Sequence, residues 1–275
     1  MKPAPFDLVR AETLTEALDT LAQAGEDGRV LAGGQSFVPM LNMRLARPGV
    51  LIDIMGLAEL RAADLVKGAL RIGAGVRQVE LARRPDLADR LPLLAAAIPY
   101  VGHVQTRSRG TVCGSLAHAD PSAELPLVLI ALGGEIHLRT KKARRTVAAR
   151  DFFLGMMATA MQPGEMLEAA SFPLRRPGEG FGFREVARRH GDYAVVAVAA
   201  VAGPEGVRLA VGGVSDVPAL RDLPDPESGD LEDALNDFAW SLDAREDLHA
   251  TPRYRRELVR RLGREAIEEA VRCRS

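Results

Sequence analysis

Two glycine-bearing segments, nearly eighty residues apart, constrain this chain more than any other feature. They read Leu31-Ala32-Gly33-Gly34-Gln35-Ser36 and Arg109-Gly110-Thr111-Val112-Cys113-Gly114-Ser115. Each follows an apolar or extended stretch and leads towards a predicted helix. Glycine lets the backbone turn tightly and bring bare N–H groups close to a ligand, and a helix N-terminus favours an anion. A single loop of this kind is as well read as an ordinary tight turn. Two of them can hold the two phosphates of one dinucleotide from both sides.

Composition narrows the field. A chain of 275 residues buries a real core and has room for two or three subdomains. With 47% hydrophobic and 27% charged residues it reads as soluble and globular. The net charge of −1 gives no bulk attraction to nucleic acid or to an anionic membrane, and 4% aromatics leave few rings for base stacking. No apolar run is long enough to span a bilayer. The opening Met1-Lys2-Pro3-Ala4-Pro5-Phe6-Asp7 has no signal-peptide core, so a cytoplasmic location is expected. Cys113 and Cys273 cannot supply the four ligands of an iron–sulfur cluster, and no cysteine–histidine spacing suggests zinc. Any metal chemistry is expected from another chain.

Along the chain, Thr13-Leu14-Thr15-Glu16 reads as a capping box, and Leu14, Ala17, Leu18 and Leu21 follow at helical spacing. Strands at 29–31 and 50–54, with a helix at 36–44 between them, make a small α/β unit hinged on the first glycine loop. A strand at 69–76, helices at 78–82, 93–98 and 122–132, and strands of an antiparallel sheet at 135–138, 146–148 and 166–172 make a second unit. Residues 173–180, rich in Pro, Gly and Arg, mark a boundary. Strands at 181–187, 195–202 and 207–211 then predict a three-stranded antiparallel sheet, followed by helices at 231–238 and 253–273. The expected class is α+β: an N-terminal α/β subdomain over 1–55, a mixed central sheet with helices over 56–177, and a C-terminal domain over 178–275.

The run from Val101 to Pro121, VGHVQTRSRGTVCGSLAHADP, closely resembles a signature of the FAD-binding medium subunits of molybdenum hydroxylases, the carbon monoxide dehydrogenase and xanthine dehydrogenase family. Ala32-Gly33-Gly34-Gln35-Ser36 is similar to that family's first FAD loop, and the run from Phe183 to Ala194, FREVARRHGDYA, to a third segment opening the C-terminal domain. Gly212-Gly213-Val214 and the run from Asp247 to Arg255 extend the resemblance over nearly the whole chain. Three departures stand out. Cys113 replaces the usual glycine and brings a thiol towards the cofactor, although a small buried packing residue is the plainer role. Gln35 stands where some relatives carry a histidine, so the resemblance implies non-covalent FAD. The four-cysteine insertion of one branch is absent.

The resemblance implies cofactor contacts from Ala32, Gly33, Gly34, Gln35 and Ser36, and from Thr111, Val112, Cys113, Gly114 and Ser115. It extends them to Asp120, Glu124, Leu167, Arg184 and Tyr193. Each has a plainer reading. Asp120-Pro121 is a strong helix start in its own right, and Glu124 lies one turn further on. Leu167 reads equally as core, Arg184 as a sheet-edge arginine and Tyr193 as a half-buried ring. In the functional reading Arg184 stabilises reduced flavin and Tyr193 covers one face of the ring. His103 and His118 lack ligands at metal spacing, and no nucleophile elbow surrounds Ser115, so neither a metal site nor a Ser-His-Asp triad is expected. Lys141-Lys142-Ala143-Arg144-Arg145 reads as a solvated hairpin tip.

The implied function is an electron-transfer subunit that passes electrons from partner [2Fe–2S] clusters through FAD to an external acceptor. A large partner would hold the molybdenum cofactor and a small one the clusters, in a dimer of heterotrimers. A free-standing flavin oxidoreductase and a non-redox scaffold are the rival readings. The substrate and the acceptor (NAD, quinone or oxygen) are not legible, because the substrate would bind on another chain.

Overall fold

The apolar patterning resolves into three larger sheets with their helices and one two-stranded hairpin. The computed structural model describes residues 2–204 and 206–274. The N-terminal unit comprises β1 (Asp7–Arg10), α1 (Leu14–Ala24), β2 (Gly28–Leu31), α2 (Phe37–Asn42) and β3 (Val50–Asp53). Its strands run parallel in the order β1-β3-β2, and the Thr13 hydroxyl caps α1 by accepting from the Glu16 amide. Leu14, Ala17, Leu18 and Leu21 bury the inner stripe of α1, as their spacing requires.

The central unit carries β4 (Ala63–Val66), β5 (Ala69–Gly73), α3 (Gln78–Ala82), α4 (Leu87–Arg90), α5 (Pro92–Ala97), α6 (Val104–Arg109) and α7 (Val112–His118). It continues with α8 (Glu124–Ala131), β6 (Glu135–Arg139), β7 (Arg144–Ala148), α9 (Ala149–Phe152), the small hairpin β8 (Phe153–Gly155) and β9 (Ala158–Thr159), and β10 (Met166–Pro173). The five-stranded sheet β4-β5-β10-β6-β7 is antiparallel throughout, as expected for the strands at 135–138, 146–148 and 166–172, with none of the parallel pairing of a mixed sheet. The pairs β4–β5 and β6–β7 are hairpins, β10 lies between β5 and β6, and the long excursion from β5 to β6 spends its length on helices. Every residue of α8 is buried, the apolar run from Leu125 to Ala131 as a core helix must be and Glu124 with it at the N-terminus.

The C-terminal unit has β11 (Gly180–Ala187), β12 (Ala194–Gly203), β13 (Gly206–Gly212), β14 (Ala219–Leu223), α10 (Leu231–Ser241) and α11 (Pro252–Arg272). The antiparallel sheet β11-β12-β13-β14 has four strands, one more than the expected three. β14 is a short edge strand whose polar residues hide its period. The sheet is covered on both faces. Ala197, Ala199, Val201 and Phe183 belong to the core of the central unit, while Val196, Val198 and Ala200 pack with α10 and α11.

Two glycines let α11 lie directly on β11. A Cβ on Gly182 would sit 2.8 Å from the Ala266 carbonyl carbon, and one on Gly180 would sit 2.7 Å from the Arg274 amide nitrogen. The buried Arg255 side chain then fastens the start of α11 by donating to the carbonyls of Val195 and Gly213 and to Asp247. Replacing Gly182 by Ala is expected to destabilise the protein by about 3 kcal/mol, the upper range for overpacking. Gly203, which has only a flexible Glu179 side chain nearby, tolerates the same change. Thermal unfolding of the two variants checks this.

Candidate functional site

The two glycine loops meet backbone to backbone. A Cβ on Gly33 would lie 2.6 Å from the Gly110 Cα and would strike the Arg109 carbonyl, so only glycine permits this approach. Gly34 follows at φ 71°, in the left-handed region, and turns the chain into α2. Among the described residues the amides of Gly33, Gly34, Gln35 and Ser36 donate to no protein acceptor. The Gln35 side chain steadies the loop by donating to the Gly33 carbonyl at 3.2 Å. Four free consecutive amides beside a left-handed glycine form an anion-binding nest.

The second loop is held differently. Val112 N and Gln78 N bond the carbonyls of Val76 and Gly110, which pins the loop to the segment after β5. Thr111 caps α7, its hydroxyl accepting from Gly114 N at 3.0 Å. A Cβ on Gly114 would stand 2.6 Å from that hydroxyl oxygen, so the glycine keeps the cap tight. The Gln78 side chain, 5% exposed, donates to the Thr111 carbonyl while its own Oε1 is buried without a partner.

A cleft of about 980 Å³ runs between the loops. This is the upper end of the range for small-molecule and cofactor sites. Of the fifteen residues singled out in the sequence, Ala32, Gly33, Gly34, Gln35, Ser36, Thr111, Cys113, Gly114, Ser115, Asp120, Glu124, Leu167 and Tyr193 line it. Two do not. Val112 is fully buried and its amide is taken by Val76. Arg184 turns away to α11, where Glu265 and Glu269 hold it, because the pleat of β11 sends it to the outer face.

Local chemistry differs from expectation at three further positions. Asp120 does not cap a helix: its Oδ1 accepts from Ser122 N at 2.8 Å in a tight turn, and α8 begins only at Glu124. The Cys113 thiol, though its residue lines the cleft, donates to the Ile72 carbonyl, and burial pushes its pKa up to about 12, which favours the neutral thiol. The basic run is a hairpin, but not a free one. Lys141 pairs with Asp19 of α1, and Arg145 makes a two-pronged pair with Glu165 that braces one wall of the cleft.

At one end the cleft is acidic. Glu124 is 6% exposed, and burial, aided by the neighbouring Asp120 charge and opposed by Arg107, pushes its pKa up to about 7. Tyr193 stands at the mouth, 63% exposed where a half-buried ring was expected, its phenol near Ser36; partial desolvation and the charges of Asp120 and Glu124 raise its pKa. Burial lowers that of His118, which favours neutral imidazole. Arg107 donates to the carbonyls of Val101 and Gly102, which shapes the wall beside Thr106. No cluster among the described residues has the make-up of a metal site. Gln78, Gly102, Thr106, Met157 and Glu165 also line the cleft and went unread, because a single residue brought in by tertiary packing leaves no spacing signal.

Residues 4–175 match the family described as the FAD binding domain in molybdopterin dehydrogenase. The chain is 37% identical to the nicotine 6-hydroxylase medium subunit of Paenarthrobacter nicotinovorans over 270 residues, 94% of each chain. It is 33% identical to the alpha subunit of the 6-hydroxypseudooxynicotine dehydrogenase complex of the same organism, covering 98% of this chain and 96% of that one. A carbon monoxide dehydrogenase structure from Hydrogenophaga pseudoflava superimposes with a TM-score of 0.93 at 29% identity over 100% of both chains. The chain thus belongs to the family of FAD-binding medium subunits of molybdenum hydroxylases, and its cofactor is FAD.

The cleft fits that cofactor on its own terms, since the nest offers unsatisfied donors to a pyrophosphate and the cleft has the volume for a dinucleotide. Replacing Gly33 by Ala forces the two loops apart. FAD affinity is expected to fall about tenfold or more, at least 1.4 kcal/mol, while the far-ultraviolet circular dichroism stays native. Titration of the deflavinated variant with FAD measures it.

Proposed function

We propose that this chain is the electron-transfer subunit of a molybdenum hydroxylase, taking electrons from [2Fe–2S] clusters on a small partner and passing them to an external acceptor. A large partner holds the molybdenum cofactor and oxidises the substrate. The complex is a dimer of these three-chain units in the cytoplasm. The observation that carries this reading is the pair of facing glycine loops with four free amides on a large cleft. In this reading residues 1–55 and 56–177 hold the FAD between them, and 178–275 close its far end with Tyr193.

When bound, FAD supplies both one-electron and two-electron chemistry, which lets single-electron carriers feed a two-electron acceptor. The chain's own residues do the rest. The amides of Gly33 to Ser36 hold the pyrophosphate, with the Ser36 hydroxyl adding a donor. Glu124 and Asp120 set the charge of the acidic end, and Tyr193 controls access at the mouth. The dependence on partners is in keeping with two cysteines, too few for a cluster in this chain.

The chain purified by itself and then denatured is expected to release FAD, identified by chromatography, at close to one per chain. Co-expression with its partners is expected to bring iron and molybdenum along. Absence of both metals from the complex returns the reading to a free-standing flavin oxidoreductase. Replacing Tyr193 by Ala is expected to change the rate of flavin reoxidation by the acceptor while FAD content stays native. Stopped-flow absorbance separates the two.

A further inference from the structure

Tyr193 reaches the cleft at the end of the connection 188–193 between β11 and β12. The connection leaves the sheet at a bulge. Val186 pairs with Val196 and Ala187 with Ala194, so Val195 is the extra residue and the strand end bends. Within the connection, Asp192 N donates to the Arg189 carbonyl at 3.1 Å and closes a tight turn.

The middle of that turn rests on the central unit. Gly191 has φ 86° and lies against the segment before α6. A Cβ there would stand 2.5 Å from His103 Nδ1 and 3.1 Å from the Gly102 carbonyl oxygen, so only glycine lets the backbone settle on both. His190 sets its ring edge-on to Tyr100, with centroids 5.8 Å apart, and Tyr100 packs in turn on Phe183 of β11 at 5.3 Å. Two consecutive residues of the turn are therefore placed by residues 100–103. Tyr193 follows two positions after Gly191, and two residues of extended chain span at most about 7 Å. The contact confines the tyrosine to one corner of the mouth, where it lines the cleft together with Gly102, Gly191, Asp192 and Ser36 of the first glycine loop.

The segment that receives Gly191 is irregular backbone, with Gly102 itself at φ 51°. One nitrogen holds it in shape. Arg107 Nη1, in α6, donates to the carbonyls of Pro99 at 3.3 Å, Val101 at 3.0 Å and Gly102 at 2.7 Å. Among the described residues no other donor reaches the Val101 and Gly102 carbonyls. The Gly102 carbonyl is thus held on one side by Arg107 and covered on the other by Gly191.

We infer that Arg107 and Gly191 are positioning residues for Tyr193: the guanidinium shapes the seat, the glycine lands on it, and the tyrosine is thereby held over the mouth of the cleft. Neither residue need touch the cofactor for this. What the tyrosine does there rests on the reading of the cleft as the FAD site.

The chain has three tyrosines, Tyr100, Tyr193 and Tyr254. Fluorine NMR of the isolated, FAD-free chain labelled with fluorotyrosine therefore gives one resonance for each, and Y193F identifies that of Tyr193. R107M and G191A are both expected to move this resonance to the position of fluorotyrosine in a short peptide, while Tyr254 on α11 keeps its native position and reports an intact fold. R107M removes a charge and G191A removes none, so a displacement common to both comes from the seat and not from electrostatics. A native Tyr193 position in both variants overturns the inference. Added FAD is expected to shift the Tyr193 resonance of the native chain through the ring current of the flavin, and this shift is lost in both variants. A native chain that binds FAD with no change at Tyr193 overturns the reading that the tyrosine covers the flavin, while the FAD-free spectra still decide the seat.

Discussion

The contact of Gly33 with the Arg109–Gly110 backbone is the constraint on which the site depends. It joins the small parallel sheet to the antiparallel one at a point where neither could tolerate a side chain. Because the loops touch, the free amides of the first face a cleft walled by the second. The nest can then be satisfied only by something from solution or by a bound anion. A row of amides left open in this way is a ready set of donors for an anion.

The C-terminal sheet does a different service. It is a partition, apolar on both sides, with the central core against one face and α11 against the other. Gly180 and Gly182 bring the helix close, and Arg255 ties its start to the ends of β12 and β13. Tyr193 lies immediately before β12, so the clamp that secures the helix also fixes where the tyrosine emerges over the cleft. Burial of a guanidinium is tolerable there because carbonyl oxygens and Asp247 surround it.

Much of this was open to reading in the sequence. The capping residue Thr13, the apolar stripe of α1, both glycine loops and the long helix α11 stand where local rules put them. Edge strands β1, β4 and β14 escaped, since each is short, and an exposed edge keeps polar residues that blur the alternation. The start of α8 was misplaced because Asp120 had two uses for its carboxylate, and the turn prevailed over the cap.

The exchange between Arg184 and Glu185 is the sharpest case. Motif resemblance places both residues on the right strand, but a one-residue step reverses the face of a strand. The cation therefore serves α11, and the acid goes to the opposite face of the sheet. Sequence by itself determined most of the buried strands and the longer helices, the two loops and the family, because these are written in local spacing and in motifs. Tertiary structure alone decided which amides remain free, where the Cys113 thiol goes and which way Arg184 turns. Those outcomes depend on what packs across from each residue, and no neighbour along the chain carries that information.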